Sequence, residues 1–188
     1  MKPVVLRTPR LVLSAPVAAD AAAVFAHCQD EELQRFVPVP VPYEREHAEG
    51  FVLGLVPNWD RDGVEHVFAI RRSTDGADAP LLGIVSWQRA RGYIGYWLGA
   101  GHRGDGIMTE AVRGILPWIF AHDEAETLAW ECVQGNLPSA AVARAAGFRY
   151  VGTGEIEHRG GPAPAWRAEL RRAELGTVDL ASWAPVLG

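Results

Sequence analysis

The chain is poor in cysteine, with only Cys28 and Cys132 among its 188 residues. Two cysteines that lie far apart form neither a disulfide framework nor a zinc motif, because both need paired or closely spaced thiols. We therefore expect no metal site, and Cys132 is interpreted as a buried structural thiol. This cysteine usage is typical of a reducing compartment, so we expect a cytoplasmic protein.

Long apolar runs and an excess of positive charge are also missing. No apolar stretch approaches the roughly 18–20 residues that a membrane-spanning helix needs, and residues 1–7 lack the apolar core of a signal peptide. The formal net charge of −5 disfavours binding to nucleic acid through its phosphates. We therefore expect no membrane association and no direct contact with nucleic acid.

The composition provides material for one hydrophobic core. Hydrophobic residues make up 48% of the sequence and charged residues 22%, which are the proportions of an ordinary globular domain. No internal repeat and no linker divides the chain. We expect residues 1–188 to form a single domain.

Hydrophobic patterning predicts an α/β fold with three consecutive strands in the middle of the chain. Predicted strands cover 10–14, 64–71, 81–88, 93–98, 127–133, 165–172 and a strand that begins at 148–152. Predicted helices cover 17–29, about 44–59, a segment from near 104, and 136–147. The alternate prolines of 36–42 exclude a regular helix or a central strand, so this segment is predicted to be an extended loop.

A glycine-punctuated turn after the strand 93–98 carries the strongest chemical signal. Residues 103–111 read Arg-Gly-Asp-Gly-Ile-Met-Thr-Glu-Ala, where a helix is predicted to begin. Gly104 and Gly106 let the backbone approach a ligand closely, and the N–H groups of a helix N-terminus attract an anion such as a pyrophosphate. The order of strand, turn and helix predicts a site for a nucleotide-like cofactor, with a helix start that binds nothing as the alternative.

Three segments in sequence order resemble the GNAT acyltransferase superfamily. The turn, together with the preceding Gly95-Tyr96-Trp97-Leu98, looks like its acetyl-CoA signature, and residues 136–148 resemble its second motif. The opening 6–13, Leu-Arg-Thr-Pro-Arg-Leu-Val-Leu, is similar to the Rim-type branch of ribosomal-protein N-terminal acetyltransferases. One position departs from the pattern: Gly101 stands where the superfamily often has Gln or Arg, and Arg103 can supply a compensating charge.

The resemblance implies a mixed, mostly antiparallel sheet flanked by helices, in which strands 93–98 and 127–133 splay apart. The pantetheine arm of acetyl-CoA would pair with the backbone around Trp97 and Leu98, and its pyrophosphate would rest on the turn. The cofactor-binding residues that the resemblance implies are Trp97, Leu98, Arg103, Gly104, Asp105, Gly106, Ile107, Met108, Asn136 and Ser139.

Acetyl transfer to an amine needs a proton for the departing thiolate and a base for the incoming ammonium. The resemblance places Ser139 near the sulfur of the cofactor, so Ser139 is the predicted acid, while capping of the helix is its structural alternative, shared with Asn136. Glu131, on a strand that flanks the cleft, is the candidate base, with an outward-facing, solvated glutamate as the alternative. Glu110 is expected to stabilise a helix dipole, and His102 is expected to be exposed.

These observations predict an acetyl-CoA-dependent N-acetyltransferase that transfers the acetyl group directly to a primary amine. The acceptor is a protein or peptide N-terminus or, alternatively, a small amine such as a polyamine, an amino acid or an aminoglycoside. A CoA-binding module without turnover is the alternative from another class. We expect residues 37–43 and 155–165 to shape the acceptor site, with Trp59 and Trp87 as candidate lining residues. The resemblance is also compatible with a homodimer.

Overall fold

One sheet and the helices around it make up the fold. The structure, a computed structural model, describes residues 4–58, 65–75 and 79–188. Within these ranges the strands are β1 (Leu6–Arg7), β2 (Leu11–Ser14), β3 (Glu65–Arg72), β4 (Gly83–Gln88), β5 (Tyr93–Leu98), β6 (Thr127–Val133), β7 (Arg149–His158) and β8 (Gly161–Arg171). The helices are α1 (Ala21–His27), α2 (Glu31–Phe36), α3 (Arg45–Asn58), α4 (Ile107–His122), α5 (Leu137–Ala146) and α6 (Ala184–Leu187).

The strands lie side by side in the order β1-β2-β3-β4-β5-β6-β8-β7. Neighbouring strands are antiparallel along the whole sheet except for β5 and β6, which are parallel. The predicted mixed, mostly antiparallel sheet flanked by helices is confirmed.

β5 and β6 meet over a short stretch only. They pair at Tyr93 and Ala129, where the Ala129 N–H donates to the Gly92 carbonyl at 2.7 Å. Beyond this point β5 stays paired with β4, and β6 stays paired with β8, over their full lengths. The two halves of the sheet therefore diverge, and we call the gap between β5 and β6 beyond the Tyr93–Ala129 pair the fork. The predicted splay between these strands is confirmed.

Helices cover both faces of the sheet beside the fork. Because successive strand residues point to opposite faces, Tyr96 and Trp97 mark the two sides of β5. The Tyr96 hydroxyl reaches the first turn of α5, and the ring of Trp97 lies 6.1 Å from that of His27 in α1. On α4, the predicted apolar stripe is buried: Ile107, Ala111, Ile115, Trp118 and Ile119.

Several regions differ from the sequence prediction, among them β1 and α6, which were not predicted. The helix α2 was not predicted; Asp30 begins it by accepting the Leu33 N–H at 3.1 Å. β7 and β8 form a hairpin that is longer than predicted. β8 begins at Gly161 rather than at residue 165 and contains Pro162 and Pro164. Pro164 turns its carbonyl to the Gln134 N–H at 2.9 Å, away from β7, so its missing N–H breaks no bond of the hairpin. Trp59 lies outside the described residues, and Trp87 is buried in the core.

A buried ion pair ties the segment before α1 to β3. Arg71 donates two hydrogen bonds to the carboxylate of Asp20, at 2.8 and 2.6 Å, and a third to the Ala79 carbonyl at 2.8 Å. Both charged side chains are buried. The pair fixes the start of α1 against β3.

The substitution Asp20→Ala is expected to lower the free energy of unfolding by about 3 kcal/mol, because the buried guanidinium of Arg71 would lose its counter-charge. Urea unfolding measures the change. The control is Glu49→Ala, at an exposed position on α3, which is expected to stay within about 0.5 kcal/mol of the parent. Equal stabilities of the Asp20→Ala variant and the parent would contradict the prediction.

Candidate active site

A cavity of about 520 Å³ occupies the fork. Its wall comes from four places: α2 and the residue after it, the second half of β5, the glycine turn with the start of α4, and the first turns of α5. The predicted site residues that line it are Trp97, Leu98, Arg103, Gly104, Gly106, Ile107, Met108, Asn136 and Ser139. Two further predicted residues, Asp105 and Glu131, are not among its lining residues.

The main chain of β5 presents hydrogen-bonding groups to the fork at every second residue. The Gly92 carbonyl faces β6, whereas the Gly99 N–H donates to Leu82 on the β4 side. Alternation along the strand therefore directs the main-chain groups of Tyr96 and Leu98 into the fork. The main-chain groups of Trp97 face β4 instead. This strand edge can pair with a ligand that carries amides.

The glycine turn leads directly into the N-terminus of α4. Gly104 and Gly106 have φ angles of 92° and 72°, which a residue without a Cβ adopts at little cost. The helix thus begins at Ile107, slightly later than predicted. The first N–H groups of a helix have no intrahelical partner, and Ile107 and Met108 lie in the cavity wall. The turn therefore places hydrogen-bond donors and the positive end of the helix dipole at the cavity.

Three groups from the N-terminal segment converge on Glu110, one turn into α4. Its carboxylate accepts the Thr8 hydroxyl at 2.6 Å, the Arg10 N–H at 2.9 Å and Arg10 Nε at 2.5 Å. Burial raises the pKa of Glu110, but the hydrogen bonds from Thr8 and Arg10 outweigh it and leave the pKa lowered. Arg10 also donates to the Asp105 carbonyl at 3.1 Å. We call Thr8, Arg10 and Glu110 the turn clamp.

The turn clamp gives Glu110 a role that the sequence analysis missed when it assigned this residue to the helix dipole. Through Arg10 the clamp also holds the main-chain carbonyl of Asp105, which does not line the cavity, and the cofactor-binding role of Asp105 stays a prediction. The Asp105 carboxylate is exposed and lies 3.8 Å from Arg72. The available signal was the segment 6–13, which supplies both Thr8 and Arg10, but it did not indicate their contact with Glu110.

The side chain of Arg103 joins the turn to α2. Its Nε donates to the Leu98 carbonyl at 3.2 Å, Nη1 donates to Glu32 at 2.7 Å, and Nη2 donates to the carboxylate of Asp30. Burial raises the pKa of Asp30, but hydrogen bonds from Arg103 and from the Leu33 N–H outweigh it, and the pKa is lowered. Each nitrogen of the guanidinium therefore has a protein partner.

The first turn of α5 is fixed by a cap and by a tyrosine. Asn136 caps the helix, its Oδ1 accepting the Ser139 N–H at 3.2 Å. The Tyr96 hydroxyl donates to the Ser139 carbonyl at 2.8 Å, and burial raises the pKa of Tyr96, so the phenol stays protonated. Ser139, which lines the cavity, is thereby held through both its main-chain N–H and its carbonyl. Tyr96 had not been singled out from the sequence.

Glu131 lies on β6, on the sheet face opposite to Tyr96. Its carboxylate is 2.8 Å from Arg91 and 3.6 Å from Arg167, and 19% of the side chain is exposed. Its main-chain carbonyl accepts the Tyr93 hydroxyl across the fork at 3.2 Å. The side chain is ion-paired rather than free in solvent, and its role as a base stays a prediction.

Cys132 and His102 were also considered in the sequence analysis, and the structure shows the surroundings of both. Cys132 is buried, and burial raises the pKa of its thiol to about 12, which suits a structural thiol rather than a nucleophile. His102 is half-buried rather than exposed, with its ring 5.5 Å from that of His27. Burial, followed by the proximity of His27 and Arg72, lowers the pKa of His102.

The described ranges hold neither a metal-ligand cluster nor a membrane-spanning helix. No group of three or more His, Cys, Asp or Glu residues is arranged there to hold a metal ion. None of the helices in these ranges has the length and apolar character needed to span a bilayer.

Comparison with known sequences identifies a family. The model of the acetyltransferase (GNAT) domain matches residues 10–149 of the chain. A curated relative is YjcK of Bacillus subtilis (strain 168), named a probable N-acetyltransferase, with 38% identity over 82 residues. That match covers 40% of this chain and 45% of YjcK, so the chain spans less than half the length of this relative.

Comparison with solved structures supports the fold. RimJ of Mycobacterium smegmatis, in complex with CoA-disulfide, superposes with a TM-score of 0.76 at 23% identity, covering 94% of this chain and 90% of that one. An acetyl transferase of Salmonella typhimurium that modifies the N-terminal serine of ribosomal protein L7/L12 gives 0.74 at 19% identity, covering 89% and 99%.

The family match spans β2 to the start of β7, and so includes the fork, the glycine turn, α4 and α5. The resemblance predicted from the three sequence segments is thereby confirmed at the level of the family and of the fold. The chain belongs to the acetyltransferase (GNAT) domain family.

Proposed function

We propose that the chain is an acetyl-CoA-dependent N-acetyltransferase that acts on the α-amino group of a protein or peptide N-terminus. The observation that carries the proposal is the cavity in the fork, which joins an open strand edge, a helix N-terminus and the Ser139 side chain in one space. Each of these three features matches one part of the reaction, as follows.

The strand edge and the turn suit the two ends of acetyl-CoA. The pantetheine arm carries amides that can pair with the main-chain groups of Tyr96 and Leu98, in the position of an added strand. The pyrophosphate would take the N–H groups between Gly104 and Met108, where the dipole of α4 favours negative charge. The family membership and the likeness to RimJ, whose structure contains a CoA-disulfide, support this placement.

The position of Ser139 suits the transfer step. The amine nitrogen attacks the thioester carbonyl, the carbon–sulfur bond breaks, and the departing thiolate needs a proton. Ser139, which lines the cavity together with Asn136, is proposed to supply that proton from its hydroxyl, directly or through water, and to recover it from the attacking amine, which loses a proton as the amide forms. The reaction needs no covalent enzyme intermediate, which agrees with the protonated, buried thiol of Cys132.

The charges of the cavity favour an acceptor with a single amine. Among the lining residues in the described ranges, the charged side chains are Glu32 and Arg103, and these two pair with each other at 2.7 Å. A polyamine or an aminoglycoside carries several positive charges and would need unpaired carboxylates there. The wall formed by Leu33, Phe36 and Val37 is apolar instead, which suits the neutral first residues of a peptide. The Salmonella neighbour, which modifies an N-terminal serine, supports the same class of acceptor.

Purified protein mixed with acetyl-CoA is expected to release thiol when peptides with free N-termini are added. The reason is that the cavity suits a single amine that is followed by neutral residues. The thiol is measured colorimetrically, and the same peptides with blocked N-termini are the control. Thiol release only with polyamines or aminoglycosides would favour the small-molecule alternative. CoA binding without release for any amine would favour a binding module without turnover.

The variant Ser139→Ala is expected to lower kcat by about 100-fold, since it removes the proposed proton donor, while the CoA dissociation constant from calorimetry stays within about twofold. Ser73→Ala, at an exposed position after β3, is the matched control and should keep the parent kcat. Full activity of Ser139→Ala would remove the acid role from this residue.

The variant Glu110→Gln is expected to weaken CoA binding about tenfold, because the turn clamp would lose charge-assisted hydrogen bonds from Arg10 that hold the turn. Calorimetry with CoA measures the effect. Glu124→Gln, exposed beyond the other end of α4, changes the net charge equally and is expected to leave the affinity unchanged. Unaltered affinity in Glu110→Gln would show that the turn keeps its shape without the clamp.

A further inference from the structure

The helix α2 is held at both ends by residues from distant parts of the chain. At its start, Arg103 of the glycine turn donates to Asp30 and to Glu32. At its end, His158 at the tip of the β7–β8 hairpin donates from Nε2 to the Arg35 carbonyl at 3.0 Å. The helix therefore bridges the turn and the hairpin.

The middle of α2 forms one wall of the cavity. Leu33 and Phe36, together with Val37 just after the helix, line the cavity that also contains Asn136 and Ser139. The hairpin that fixes the end of α2 includes the segment 155–165, which the sequence analysis assigned to the acceptor side. A shift of α2 would therefore change the shape of the space that is left for the acceptor beside Ser139.

The positive charge of Arg103 is already paired with two carboxylates at the start of α2. Its three nitrogens donate to two carboxylates and to the Leu98 carbonyl, and its side chain is 31% exposed. If the guanidinium turned to a phosphate, Asp30 and Glu32 would lose their counter-charge while lying next to a polyanion. That exchange is unfavourable, because like charges at close range repel each other. The main-chain N–H groups of the turn can bind a phosphate without any such exchange.

We propose that the Arg103 side chain is a positioning residue for the acceptor wall and not a ligand of the cofactor phosphates. Through Asp30 and Glu32 it fixes α2 to the glycine turn, so that Leu33 and Phe36 stand at a set distance from Ser139. This inference rests on the proposed function, because the acceptor site is defined by the acetyl transfer.

The test separates the acceptor KM from the affinity for CoA. In Arg103→Met, which keeps the length of the side chain but removes its hydrogen bonds, the KM for an N-terminal peptide is expected to rise about tenfold. The CoA dissociation constant from calorimetry is expected to stay within about twofold. Glu32→Gln should raise the peptide KM in the same direction, since it breaks the same contact from the other side.

The matched control is Glu31→Gln, which changes the same charge on an exposed residue of the same helix and is expected to leave both constants unchanged. His158→Ala removes the contact at the other end of α2 and is expected to raise the peptide KM without affecting CoA. Amide hydrogen exchange across residues 31–36 is expected to become faster in Arg103→Met, a readout that does not depend on turnover.

A different pattern would overturn the inference. A tenfold weaker CoA affinity in Arg103→Met, with an unchanged peptide KM in Glu32→Gln, would make Arg103 a phosphate ligand. If the parent protein acetylates no amine, the proposed function fails, but calorimetry and hydrogen exchange still decide the role of Arg103. Unchanged exchange across α2 together with weaker CoA binding would then reject the positioning role.

Discussion

The divergence of β5 and β6 after their pairing at Tyr93 and Ala129 is the constraint on which the site depends. Each strand is held along its full length by its outer neighbour, so both strands stay extended while their inner edges diverge. The Tyr93 hydroxyl crosses the gap to the Glu131 carbonyl, and the Tyr96 hydroxyl crosses to α5. The fold thus keeps a strand edge open inside the protein, where an unpaired main chain would otherwise be costly.

The proposed cofactor site would bind its ligand mainly through main-chain groups. The residues that matter most for it are therefore those that shape the backbone. Gly104 and Gly106 allow the positive φ angles of the turn, and the turn clamp fixes it from the N-terminal segment. Thr8 and Arg10 therefore hold the turn without lining the cavity themselves. The chain's N-terminal segment acts as a brace for the turn, beyond its place as the edge of the sheet.

Local signals made much of the fold and site predictable. The glycine turn, the Asn136 cap and the apolar stripe of α4 each consist of residues that are close in sequence, and the structure has all three. The helix α2 was not predicted because six residues are too few for a periodic pattern, and because the prolines that follow it favour an extended loop. The full length of the β7–β8 hairpin could not be predicted, because prolines usually interrupt a strand. Pro164 is accommodated because its carbonyl faces Gln134, just after β6.

Long-range contacts could not be predicted in the same way. Glu110 meets Thr8 and Arg10 across about one hundred residues of chain, and Glu131 meets Arg91 and Arg167 from two other strands. Such pairs depend on strand order, which no single segment encodes. The sequence therefore identified Glu131 as a carboxylate on the correct strand, but not the arginines beside it.

The balance of charge explains how an acidic protein can present a site for a polyanion. The chain carries a net charge of −5, and the arginines nearest the turn are already paired: Arg10 with Glu110, and Arg103 with Asp30 and Glu32. Attraction for a pyrophosphate must then come mainly from the oriented N–H groups and the dipole of α4. These fixed dipoles act over a short range, so we expect the geometry of the turn, rather than the overall charge of the surface, to control binding. The ion pairs around the turn act by holding that geometry, and the same pairs connect it to α2 on the other side of the cavity.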